Sequence, residues 1–159
     1  MNPLTRRGII AGLLLALVWA GLPALAQTPM PTGPLVIETA DGERHEFTVE
    51  LAATDEHRAI GLMYRQQMQA DAGMIFDYGR DRRASMWMRN TYIPLDMLFI
   101  ASDGTIRNIK QRTVPFSETA IRSQGKVRAV LELNAGTVSR FGIEPGDTVR
   151  HAVFGNLEE

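Results

Sequence analysis

The side chains best suited to chemistry lie between Ser85 and Gly104, where Trp87, Arg89, Asn90 and Asp96 gather around a proline. Pro94 limits Ile93 to extended backbone, so the turn Thr91 to Pro94 can hold Arg89 and Asp96 close together. Asp96 is the only charge in the otherwise apolar run Leu95 to Ala101. A charge at the edge of such a strand is costly unless it is paired and hydrogen-bonded. In the plainer reading Asp96 pairs with Arg89 or Arg65, or caps backbone amides, and only fixes the loop. In the functional reading Arg89, Asn90 and Asp96 form the polar floor of a ligand pocket, with Trp87 or Tyr92 as its wall.

Glu132 is the second candidate carboxylate, on the same strand face as Arg128, Val130 and Asn134. A glutamate in mid-strand ordinarily pairs with a cation across the sheet. Facing Asp96 over a cleft, it would instead give a general acid and base, with one pKa raised by burial or by the other's charge. Arg65 would join such a pocket from a short helix. No catalytic residue is assigned.

The other chemistries have little support. Met86 and Met88 put two thioethers on one strand face, with Met63, Met74 and Met97 as possible neighbours. Soft sulphur donors suit cuprous copper, but methionines that fill gaps in a core account for the pattern more simply. His45, His57 and His151 are scattered without metal-ligand spacing, and the nucleophile-elbow, dinucleotide and phosphate-loop motifs are absent. No metal and no cofactor is expected. The chain has no cysteine, which excludes thiol nucleophiles, iron–sulphur clusters and thiolate zinc sites.

Residues 1–26 have the layout of a secretory signal: Arg6 and Arg7, an apolar run from Ile9 to Leu22, then Pro23-Ala24-Leu25-Ala26. Cleavage is expected after Ala26, the alternative being an uncleaved anchor of the length that spans a bilayer. Thr5-Arg6-Arg7-Gly8-Ile9-Ile10 also fits a twin-arginine signal, which leaves the export route open. The expected location is periplasmic or secreted, with no membrane association once the signal is removed. Without Arg6 and Arg7 the chain has 15 basic and 18 acidic residues, a formal charge of −3. A mildly acidic domain whose sole basic cluster is Arg80-Asp81-Arg82-Arg83 is a poor partner for nucleic acid.

Gln27 to Pro34 reads as a proline-rich leader, and residues 35–159 as one β-rich domain. Asp41-Gly42 marks a hairpin between Leu35-Val36-Ile37 and Glu46–Ala52. Thr54-Asp55-Glu56 starts a short helix. Gly73–Tyr78, Met86–Thr91, Leu95–Ala101, Thr105–Val114, Val127–Leu133 and Thr148–Phe154 read as strands, with one helical turn at Thr137–Phe141. Arg80–Arg83 reads as a loop. About eight short strands at roughly ten-residue spacing imply a mainly β fold: an antiparallel sandwich or partly open barrel with one or two short helices.

Several segments together resemble the domain-of-unknown-function 192 family, small bacterial and archaeal domains, many of them exported. They are Phe47–Ala52, Gly61-Leu62-Met63-Tyr64-Arg65, Gly73-Met74-Ile75-Phe76, Trp87-Met88-Arg89-Asn90-Thr91, Ile93-Pro94-Leu95-Asp96, Val130–Gly136 and Pro145-Gly146-Asp147. The departures are Met86, where the family has phenylalanine, and Arg89, where it has lysine. The resemblance implies a jelly-roll-like β domain and brings no activity, cofactor or catalytic residue. The expected function is therefore a monomeric exported binding domain for a small polar, anionic or carbohydrate-like ligand or an envelope protein. Its ligand would meet Arg65, Trp87, Arg89, Asn90, Asp96 and Glu132. The alternatives are a glycan-directed enzyme using Asp96 and Glu132, and an interaction module with no pocket.

Overall fold

The structure, a computed structural model, describes residues 29–157. The expected signal segment and the first two residues of the leader lie outside them. In chain order the elements are β1 (Thr32–Glu38), β2 (Arg44–Ala52), α1 (Asp55–Ile60), β3 (Ala72–Arg82), β4 (Ser85–Met86) and β5 (Leu95–Ile100). They continue with β6 (Ile106–Lys110), β7 (Ile121–Arg122), β8 (Val127–Asn134), α2 (Thr137–Arg140) and β9 (Thr148–Arg150). Seven strands form one sheet in the order β6-β5-β8-β3-β2-β1-β9, curled into a half-barrel, and β4 pairs with β7 alone. The fold is mainly β. Within the large sheet only β2 and β3 run parallel, and α1 lies in the crossover between them.

Local chemistry accounts for the elements that frame the site. Thr54 accepts the His57 amide at 3.1 Å, and Asp55 and Glu56 meet the positive end of α1. Gly61 ends that helix with φ 47° and ψ −132°, a conformation that favours glycine. Side chains alternate across a strand, so the sheet divides its apolar residues between two faces. Along β5, Leu98 and Ile100 enter one core with Leu35, Ile37 and Leu131, while Leu95, Met97 and Phe99 enter the other with Met74 and Val130. Every residue of β5 is buried, as a strand covered on both sides requires.

Five segments differ from their sequence-based expectation. The strand expected over Thr105–Val114 ends at Lys110, and Arg112 takes φ 49°. The extended leader is already paired: the Pro31 carbonyl accepts the Leu51 amide at 2.8 Å, and β1 begins at Thr32. Strand β3 runs through Arg80, Asp81 and Arg82, so most of the expected basic loop is an exposed strand end. The alternation from Met86 to Thr91 is not a strand beyond Met86. Asn90 has φ 54°, which no strand accommodates, and the Met88 amide donates to the Ser117 carbonyl at 2.8 Å. The last strand stops at Arg150, because the His151 Nδ1 accepts the Val153 amide and opens a 3₁₀ turn over Ala152–Phe154.

Candidate functional site

Asp96 is wholly buried and fully satisfied. Its Oδ1 accepts the Arg112 amide at 2.8 Å, and its Oδ2 accepts the Gly136 and Val138 amides at 2.9 Å each. The last two donors belong to the start of α2, so a strand residue caps a helix forty positions away in sequence. The carboxylate also faces the positive end of that turn. Asp96 fixes the Pro94 loop to α2, and it forms no part of a pocket floor.

Glu132 has the opposite circumstances. It stands on β8 between Met74 of β3 and Met97 of β5, its direct cross-strand neighbours. Only 4 % of it is exposed, and its carboxyl has no hydrogen-bond partner among the described residues. Burial alone pushes its pKa up to about 8, so the acid is mostly protonated at neutral pH. The expected cation across the sheet is absent, because both neighbours are methionines. The register also removes the acid–base pair: Asp96 points with Leu98 into the first core, and Glu132 points with Val130 into the second.

The Glu132 carboxyl reaches a narrow cleft between α1 and the loop after β4. Arg58, Met63, Met86, Trp87, Arg89 and Thr91 line it around the acid, leaving an interior of about 30 Å³. That is room for one or two water-sized groups. Two of the predicted site residues guard its mouth. Trp87 is 47 % exposed, and the Arg89 guanidinium lies 5.4 Å over its ring, with its Nε 3.8 Å from Glu118. Arg58 is held by the Ala53 and Asp77 carbonyls and by Asp55. Tyr78 donates its hydroxyl to the Met86 sulphur at 3.3 Å. Burial raises the Tyr78 pKa to about 12; Arg82 opposes that shift and Glu132 adds to it.

The structure thus brings together Trp87, Arg89 and Glu132, and holds three predicted residues elsewhere. Arg65 forms a two-pronged ion pair with Glu50 on β2, which raises its pKa further. Asn90 sits at the left-handed turn and donates to the Tyr64 hydroxyl at 3.0 Å and to the Met63 sulphur at 3.8 Å. Asp96 is sealed by amides. Arg58, Phe76 and Thr91 also line the cleft although none is among the expected site residues; Phe76 and Thr91 lie in the family-like segments Gly73–Phe76 and Trp87–Thr91, and Arg58 carries no motif. Arg58 comes from α1, Phe76 from β3 beside β8, and Thr91 from the loop after β4, so only the tertiary fold brings them to Glu132. Among the described residues no three histidine, aspartate or glutamate side chains converge as a metal site, and no helix is long and apolar enough to cross a membrane.

A curled half-barrel with two short helices and one buried acid at a cleft describes a class of small β domain. The chain belongs to the DUF192 family, described as "Uncharacterized ACR", whose sequence pattern matches residues 36–151. Two solved structures are similar. One, from Sinorhizobium meliloti 1021 and provisionally described as a transcription regulator, is 53% identical with a TM-score of 0.78. The match covers 80% of this chain and 98% of that one. The other, a protein of unknown function from Novosphingobium aromaticivorans DSM 12444, is 39% identical with a TM-score of 0.74, over 79% of this chain and 94% of that one. No curated protein matches the chain.

Proposed function

We propose that this protein is an exported binding domain of the bacterial envelope whose site is the Glu132 cleft. The observation that carries the reading is a buried carboxyl that has no partner among the described residues and faces an opening. A polar group of that kind is ordinarily hydrogen-bonded in a folded protein, and leaving it unmade has a cost. Cores retain such groups where something else supplies the partner. The small interior favours an occupant that is itself ion-sized, or one that inserts a single polar group while the rest lies against Trp87 and Arg89. Export rests on the signal-like residues 1–26, and no partner beyond the ligand is needed.

The regulator description of the Sinorhizobium relative has less support in this chain. Its helices α1 and α2 have six and four residues, too short for a recognition helix, and the part after residue 26 is net acidic. The carboxylate-pair enzyme loses its geometry because Asp96 and Glu132 face opposite sides of the sheet. An interaction module is favoured by the exposed Tyr64, Val114, Tyr92 and Phe116, the last two with ring centroids 5.0 Å apart.

The test is an amide and indole NMR titration of the isotope-labelled protein with a panel of acetate, phosphate, ammonium, monovalent and divalent metal ions, glucose and N-acetylglucosamine. Shifts confined to Trp87, Thr91 and Glu132, and lost in Glu132→Gln, are expected for at least one probe. A panel that moves none of these residues, or moves them equally in the variant, removes the cleft from consideration.

A further inference from the structure

The methionines are distributed unevenly between the two faces of the sheet. Seven of the eight in the chain lie in the described residues, and none of them belongs to the first core. Met74, Met88 and Met97 are buried in the second core, Met30, Met68 and Met86 pack against it, and Met63 lines the cleft. A gap-filling role would place flexible thioethers on either face. Here they collect on the face that holds the one buried acid without a hydrogen-bond partner among the described residues.

Resting on the cleft as the binding site, we infer that its occupant is a soft monovalent cation of the cuprous or silver kind, held by the Met63 and Met86 sulphurs and the Glu132 carboxylate. Thioethers select such ions over magnesium or calcium. Binding releases the Glu132 proton to solvent, and the carboxylate so formed balances the ion's single charge. The two sulphurs are held in place, Met86 by the Tyr78 hydroxyl at 3.3 Å and Met63 by the Asn90 amide at 3.8 Å. Each thioether has a second lone pair for a metal. The interior of about 30 Å³ can enclose an ion but not a whole sugar or nucleotide. The cations at the cleft already have other contacts: Arg58 meets Asp55, and Arg89 rests on Trp87 near Glu118. This departs from the expectation that the methionines are only core and that no metal binds. The unpartnered acid is what the sequence did not reveal.

Silver nitrate is the redox-inert probe, added to protein labelled at the methionine methyls, with cuprous competition against bicinchoninate as the second measurement. One ion should bind, moving the Met63 and Met86 methyls well before those of Met30 and Met68. The Met63→Leu/Met86→Leu pair, close in volume to the original, should weaken binding at least roughly tenfold, and Glu132→Gln by a similar factor, the scale of losing support at a metal site. Equal affinity in wild type and the leucine pair, or shifts spread over all methionines, would overturn the inference. Should the pair not fold, the order in which the wild-type methyls move decides alone. Silent methyls with another probe still shifting Trp87 and Thr91 would reject the soft ion and leave the cleft standing; silence to every probe rejects both.

Discussion

Asp96 and Glu132 stand on neighbouring strands, one residue out of register, and point to opposite faces of the same sheet. These two buried acids therefore have separate roles. Asp96 accepts from three amides, while Glu132 accepts from none among the described residues. The first is structural chemistry carried to completion; the second is an open valence at the edge of a cleft.

Asp96→Ala should strongly destabilise the fold. It removes the acceptor for the Arg112, Gly136 and Val138 amides at once. An unsatisfied buried donor costs about 1–3 kcal/mol, so a total loss of roughly 3 kcal/mol or more is expected. Urea unfolding followed by circular dichroism measures it. A change under about 1 kcal/mol would show that water reaches those amides readily.

Glu132→Gln should stabilise the protein near neutral pH in the absence of added metal. The folded pKa of about 8 lies above the ordinary 4.5, so between those values the native state holds a proton that the unfolded chain has released. Stability therefore falls as pH rises through that window, by about 1.4 kcal/mol per unit, and levels off above pH 8. At pH 7 the glutamine variant should be more stable by roughly 3 kcal/mol, with little difference at pH 4. Melting temperatures of both proteins across pH 4 to 9 check this. Parallel curves would mean that the acid is solvated when the chain is folded.

Much of the scaffold was legible because it is written locally. Asp41-Gly42 marked the first hairpin, Thr54 the helix start, and the unbroken apolar run after Pro94 a strand covered on both sides. The site was less legible, since which face a residue takes depends on register, and register is set by pairing between distant strands. Asp96 and Glu132 differ in parity only once Met97 is known to oppose Glu132. The alternation from Met86 to Thr91 misled for a related reason: the left-handed Asn90 and the Ser117 carbonyl turn a period-2 sequence into a loop. The sequence neighbours of Arg65 suggest a place beside the acids, whereas β2 offers it Glu50.

The Arg65–Glu50 pair should be worth about 1 kcal/mol in a double-mutant cycle with methionine at 65 and glutamine at 50. Its geometry is two-pronged, but both side chains are about a quarter to a third exposed, so water screens the attraction. The coupling should shrink when urea unfolding is repeated in 0.5 M salt, and the cleft's response to ligands should not change. A loss of ligand response in Arg65→Met with stability intact would restore Arg65 to the site.

Gly61→Ala should couple stability to the cleft. At φ 47° and ψ −132° an alanine is strained by roughly 1–3 kcal/mol, whatever space surrounds it. The added Cβ would also stand 3.0 Å from the Phe76 ring, which packs in the second core and forms part of the cleft wall. The ring must yield toward the cleft interior, or α1 must lift away from the sheet. The variant should therefore melt lower and shift the Trp87 indole resonance, although position 61 does not touch the charged groups. An ordinary melting temperature with an unmoved indole would show that the turn after α1 relaxes independently, and that the cleft wall is softer than its packing implies.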